Sequence, residues 1–337
     1  MLNFDPAHYL SVEQGAAQLA DAIDEAVGRE FERGLRNVAF WGVGGIAFLN
    51  MPAARLLQTS SPLPTYIDMG AEAILIDNVN VGPGSLVIFT SVSGTTKEAI
   101  AALEHARKKG ARILTLVGTP DTPLAKLADI TFCNRCADPT SSENFYLQTL
   151  FVALSILRRT TQFPQHQRVV AELKTLPKLL VGVKEQFEPR AAAFAEEIRD
   201  EQHHIITGSG GAWYEAWYYA MCILEEMQWI WTRPVHASDF FHGTLELLEA
   251  DTSLWILKGE DAARPLAERV ERFASTVSKK VRVFDSRDFD LPGLSPDVRA
   301  LVSPIVFAAA FERLSSHLEK VRGHDLTIRR YYKKGDF

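Results

Sequence analysis

Four hydroxyl side chains fall within the six residues Ser91-Val92-Ser93-Gly94-Thr95-Thr96. The run follows a short apolar segment, Ser85-Leu86-Val87-Ile88-Phe89, and precedes a stretch of helical character from Lys97 to Lys109. A phosphate bound after a parallel strand needs backbone N–H groups at a helix N-terminus, short hydroxyls, and a glycine that lets the chain come close. This loop supplies all three. Capping of the next helix by Thr95 or Thr96, with Glu98 assisting, would use one or two of the hydroxyls and leave the others unexplained. The loop is therefore predicted to hold the phosphate of a small phosphorylated metabolite.

Acid–base chemistry has its own candidates further along. Residues 212 to 231 read as one helix that is apolar nearly all round, with Glu225 and Glu226 inside it. A carboxylate there is costly unless it is paired, solvated by a cleft or functional, and desolvation would move it toward the range of a general base. Helical spacing does not decide which of the two faces a cleft, and structural pairing is the alternative. Downstream, Val235-His236-Ala237-Ser238-Asp239-Phe240-Phe241-His242-Gly243 sets two histidines among aromatic residues. A hydrogen-bonded structural role is the alternative for each of them.

The elements that must position these groups alternate between strand and helix. Residues 11 to 33 read as an amphipathic helix. Val38-Ala39-Phe40-Trp41 is a strand that ends in the turn Gly42-Val43-Gly44-Gly45, with helical character from Ile46 to Leu57. Ser85 to Phe89, Ala111 to Val117 and Ile130 to Phe132 are further strands. This order implies an α/β fold with a doubly wound parallel sheet. The opening unit then returns: His204-Ile205-Ile206-Thr207 leads into Gly208-Ser209-Gly210-Gly211, at the same interval along the chain as Gly42 to Gly45. Ser253 to Leu257 and Val281 to Phe284 repeat the later strands, so two such domains are related by internal duplication. The expected boundaries are 1–157 for the first domain, 158–200 for a helical linker and 201–337 for the second. At the second copy's phosphate-loop position stands Lys258-Gly259-Glu260-Asp261-Ala262-Ala263, with no hydroxyl and two carboxylates. An anion would be repelled there, which predicts one phosphate site per chain.

Composition narrows the class. The chain of 337 residues is 47% hydrophobic and 23% charged, with a formal net charge of -6 and no Lys/Arg-rich block. That is a globular balance, and it argues against nucleic acid as a partner. No signal-peptide pattern opens the chain and no apolar run is long enough for a bilayer, so a soluble, cytoplasmic protein without a membrane partner is expected. Cys133-Asn134-Arg135-Cys136 has redox or metal spacing, but no second pair or neighbouring histidine completes it, and ordinary thiols are expected. The Gly42 turn lacks the full dinucleotide spacing and has no acidic residue at a matching strand end, which argues against a nicotinamide cofactor.

Taken together, the loop Ser91 to Thr96, the duplicated domain and the spacing of Glu226 from His242-Gly243 resemble the sugar isomerase (SIS) family. The segments Glu226-Met227-Gln228-Trp229, Phe240-Phe241-His242-Gly243 and Asp325-Leu326-Thr327-Ile328-Arg329-Arg330-Tyr331 are most similar to its deglycases of phosphorylated Amadori compounds. The resemblance implies that Ser91, Ser93 and Thr96 bind a sugar 6-phosphate, that Glu226 is the general base, and that His242 is the acid. It also implies a homodimer with shared active sites, the histidine arriving from the partner, and no metal or organic cofactor. Gly42 and Glu143, the latter in Ser141-Ser142-Glu143-Asn144, are candidate sugar contacts. The ammonia-using synthase of the family has a lysine three residues before its base, where this chain has Ile223, and a tail lysine with no secure match at Lys333 or Lys334. Those departures favour deglycation, leaving a sugar-phosphate aldose–ketose isomerase and a non-catalytic sugar-phosphate sensor as alternatives.

Overall fold

Residues 1–136, 142–332 and 334 are described by a computed structural model; Ser141 and Lys333, singled out above, lie outside the described residues. The chain forms two compact units, Pro6–Pro177, and Lys178–Phe337 joined by Met1–Asp5. The boundary falls inside helix α8 (His166–Ile198), so the stretch 158–200 consists of the end of α7 (Glu143–Thr160), a short turn and α8.

The first unit holds α1 (Pro6–Gln18), α2 (Ala20–Glu32), β1 (Asn37–Gly42), α3 (Gly45–Ser60), β2 (Thr65–Met69) and α4 (Gly70–Ile76). These are followed by β3 (Ser85–Ser91), α5 (Lys97–Lys108), β4 (Arg112–Val117), α6 (Pro123–Leu127) and β5 (Ile130–Cys133). Its sheet is parallel, in the order β2-β1-β3-β4-β5. Every residue of β1 and β3 is buried, as expected of strands covered by helices on both faces. The predicted helix 11–33 is in fact two helices separated at Leu19.

The second unit has β6 (His203–Gly208), α9 (Gly211–Tyr218), α10 (Glu226–Gln228), β7 (Trp231–His236), β8 (Leu254–Lys258), α11 (Arg264–Ala274), β9 (Val281–Asp285) and α12 (Pro296–Arg322). Its sheet runs β7-β6-β8-β9, also parallel, repeating the order of the first four positions of the other sheet. The glycines that open α3 and α9 share one conformation: Gly44 has φ 60° and ψ −141°, Gly210 φ 57° and ψ −139°. The duplication expected from sequence is thus present in topology and in backbone detail.

The single helix predicted over 212–231 is not what forms. After α9 the backbone widens into a π-helix over Tyr219–Glu225, tightens for α10, and stops at Trp229 in the left-handed region, φ 56°. Trp231 then heads the edge strand β7, which tolerates Pro234 because an edge strand does not need every N–H.

A buried ionic network closes the second unit. Arg313 donates to Glu188 at 2.7 Å and to the Leu2 carbonyl, and Lys184 reaches Glu312 at 2.9 Å. Both cations also sit over the Phe4 ring. This is how the first five residues come to belong to the unit that otherwise begins at Lys178.

His204 is fully buried in β6, its Nδ1 2.6 Å from Ser253 Oγ and its ring 4.9 Å from Trp255. Burial lowers its pKa to about 4, and the Glu201 carboxylate opposes this only in part. The folded protein thus keeps the ring neutral. Between pH 6.5 and 4 the unfolded chain gains a proton that the folded one refuses, so stability falls as pH drops through that window and is fully retained above it. Urea titrations are expected to show His204→Gln losing about 3 kcal/mol less than the parent between pH 7 and pH 4. Equal losses would contradict a buried neutral histidine.

Candidate active site

In a doubly wound sheet, ligands bind beyond the carboxyl ends of the strands where the order reverses. In the first unit that point lies between β1 and β3, which end at Gly42 and Ser91. The loop predicted to hold phosphate is therefore at the position the topology favours. Ser91 Oγ accepts the Gly94 N–H at 3.0 Å, and Thr95 Oγ1 donates to Ser93 Oγ at 3.1 Å. Gly94 is indispensable to this shape: its φ is +62°, and a Cβ there would lie 2.2 Å from Thr122 Oγ1. Thr96 is the N-cap of α5, yet its side chain accepts no capping bond. Capping therefore does not account for its hydroxyl, and α5 presents its positive dipole end to the crevice.

The equivalent crevice of the second unit is already filled. Asp261 Oδ2 accepts the Gly211 N–H that opens α9, and Oδ1 accepts the Ala263 N–H, each at 2.8 Å. A carboxylate of the chain occupies the place where a ligand anion would meet those amides. Glu260 is tied to Arg299 at 2.8 Å and Arg264 to Asp285 at 2.8 Å, so the neighbouring charges are paired as well. Beyond the repulsion expected of two carboxylates, the protein supplies its own anion here. Asp261→Ala is expected to cost about 1–2 kcal/mol in urea unfolding, by stranding two helix-terminus amides. Calorimetry should meanwhile find one sugar phosphate bound per chain; two equivalents would contradict the assignment of a filled crevice.

Glu226 follows the π-helical turns directly, a kind of irregularity often found at functional sites. It is not desolvated as its helix suggested: its side chain is 34% exposed and accepts from Arg329 Nε at 2.8 Å. Glu225 faces the same side and accepts from the Thr232 hydroxyl at 2.5 Å. Both carboxylates line a cavity of about 480 Å³ whose other walls include Trp229, Trp231, Arg330 and Tyr331. The tail that supplies Arg329 is anchored at its base by Gln228, which is fully buried and donates to the His324 carbonyl at 2.8 Å. His242 lies in a 3-10 turn, exposed, and is not among the residues lining this cavity. His236 meets Ser238 at 2.5 Å.

The remaining candidates are engaged inside the first unit. Glu143 is fully buried, Oε1 accepting from the Tyr9 hydroxyl at 3.1 Å and Oε2 from the Ser142 N–H at 3.0 Å. A Cβ at Gly42 would lie 2.5 Å from the Ala47 Cα, so this glycine lets α3 start hard against the strand end. The strand β2, unseen in the sequence, carries Asp68 near its end, where it accepts from the Trp41 indole at 2.9 Å. An acidic residue therefore does stand near the end of the strand that follows the glycine turn, where the sequence reading has none. Cys133 and Cys136 form no disulfide among the described residues, and burial raises the Cys133 thiol. Sequence reasoning missed Arg329 and Arg330 as site residues although it had singled out the segment that contains them.

Residues 36–158 match the SIS domain family. The chain is 29% identical over 306 residues to the fructosamine deglycase FrlB of Bacillus subtilis, covering 89% of this chain and 92% of that protein. It is 26% identical over 317 residues to a glutamine–fructose-6-phosphate aminotransferase (isomerizing) of Xylella fastidiosa, covering 87% of this chain but only 50% of that longer protein. A crystal structure from Bacillus subtilis described as a phosphosugar isomerase superposes with a TM-score of 0.88 at 27% identity, over 96% of this chain and 99% of the other. None of the helices described is long and apolar enough to cross a membrane. Residues 36–158 thus form a SIS domain, and the chain as a whole resembles the two-domain proteins built from such units.

Proposed function

We propose that the protein is a deglycase that cleaves a phosphorylated Amadori compound, the fructosamine 6-phosphate of an amino acid, to glucose 6-phosphate and the free amine. The observation that carries this reading is the Glu226 carboxylate on the wall of a cavity of about 480 Å³, far more room than a proton transfer needs. The resemblance to the fructosamine deglycase supports it. Ser91, Ser93 and Thr96 hold the 6-phosphate on the N-terminal amides of α5. Glu226 removes a proton from C1 of the open-chain ketosamine, giving an enaminol, and a proton returned to C2 makes the C1 imine. Water adds at C1, the C1–N bond breaks, and the amine leaves with the proton that balances it. His242 supplies the acid, reaching the site from a second copy of the chain, so the active form is a homodimer.

Incubating the protein with fructoselysine 6-phosphate and, separately, with fructose 6-phosphate tests the proposal. Release of amine together with glucose 6-phosphate from the first is expected. Conversion of fructose 6-phosphate alone would identify an aldose–ketose isomerase, and tight binding of either compound with no product over hours a sensor.

A further inference from the structure

The cavity beside Glu226 offers two kinds of surface. One is aromatic, with Trp229, Trp231, Tyr331 and Tyr332 in its walls; Trp231 and Tyr331 are 73% and 75% exposed. Trp229 is held there by a backbone conformation costly for so bulky a residue, φ 56°. The other surface is cationic. Arg329 is spent on Glu226 and on the carbonyls of Leu326 and Ile328. Arg330 is not: its guanidinium lies 3.9 Å from the Trp229 ring centroid, and among the described residues it has no carboxylate partner. A guanidinium stacked on an indole is fixed in orientation while its N–H edge stays available to a planar anion.

We propose that this cavity is the subsite for the amine half of the substrate, and that it selects an amino acid over a simple amine by its carboxylate. Arg330 holds the carboxylate, and the four aromatic rings cover the body of the side chain. The assignment rests on the deglycase reading and adds to it which part of the substrate is read and by which residues. It also explains why the cation-bearing tail is anchored beside the base: the C1–N bond must lie at Glu226, so the group attached to that nitrogen extends into the adjoining space.

The test compares two ketosamine 6-phosphates that differ only in the carboxylate, one made from phenylalanine and one from phenethylamine. For the parent protein, kcat/KM is expected to favour the phenylalanine compound by about tenfold or more, the usual worth of one charge-assisted contact. Arg330→Gln should bring that ratio close to one, mainly through KM, since the contact is remote from the reacting carbon. Trp231→Ala should lower kcat/KM for both compounds by a similar factor. A parent ratio near one, or an Arg330→Gln variant that loses the same factor on both compounds, would overturn the subsite. Release of amine from neither compound would overturn the deglycase reading itself, and the subsite with it.

Discussion

Glu226→Gln is expected to reduce amine release by three or more orders of magnitude while leaving the fold and sugar-phosphate binding intact. Glutamine keeps the size of the side chain and an oxygen that can still accept from Arg329, so the tail contact at 2.8 Å has a substitute. What it lacks is the ability to take the C1 proton, and a positioned base typically contributes 10²–10⁴-fold. Because two proton movements precede hydrolysis in the proposed sequence, the loss should lie at the upper end. Retention of the binding enthalpy for glucose 6-phosphate, with turnover lost, is the diagnostic pattern. Turnover within tenfold of the parent would remove Glu226 from the mechanism and turn attention to Glu225, which shares the cavity wall.

The largest effect on stability is expected at Arg313. Its side chain is fully buried and serves Glu188, Glu312 and the Leu2 carbonyl together. Burial alone would disfavour the Glu312 carboxylate, but Lys184 and Arg313 outweigh it and hold the group below its usual range. Arg313→Met fills most of the same volume and leaves those acceptors without the cation. Removing one partner of a buried ionic set costs about 3–5 kcal/mol. Urea unfolding at pH 7 should register that loss, and proteolysis should cut the first five residues sooner. A change under about 1 kcal/mol would mean that water or Lys184 replaces the arginine without penalty.

How much could be read beforehand depended on how local the physical signal was. Strands β1, β3 and β4 were visible as apolar runs because both faces of a central parallel strand are covered. The edge strands β2 and β7 were not: Thr65–Met69 is only partly buried, and Trp231–His236 mixes Arg233 and Pro234 into a half-exposed segment that invited extension of the preceding helix. The π-helical widening at Tyr219–Glu225 leaves no mark in hydrophobic periodicity. The turn Ser91–Thr96 after β3 could be located because all its groups are neighbours in sequence. Arg329 lies far from Glu226 along the chain, and no spacing rule couples them. Asp261 shows a subtler gap. Its charge was noticed, but only the fold reveals that it binds its own unit's helix terminus.

That self-filled crevice gives the two halves of the molecule different thermodynamic circumstances. In the second unit the Gly211 and Ala263 amides are met by the permanent Asp261 carboxylate, so that contact is the same whether or not a solute anion is present. A unit that awaits an incoming anion gains RT ln(1 + [L]/Kd) from it, about 2.7 kcal/mol at a hundredfold excess. On the proposed phosphate assignment, scarcity of metabolite removes that increment from residues 6–177, whereas the amides that Asp261 covers keep their partner at every metabolite concentration.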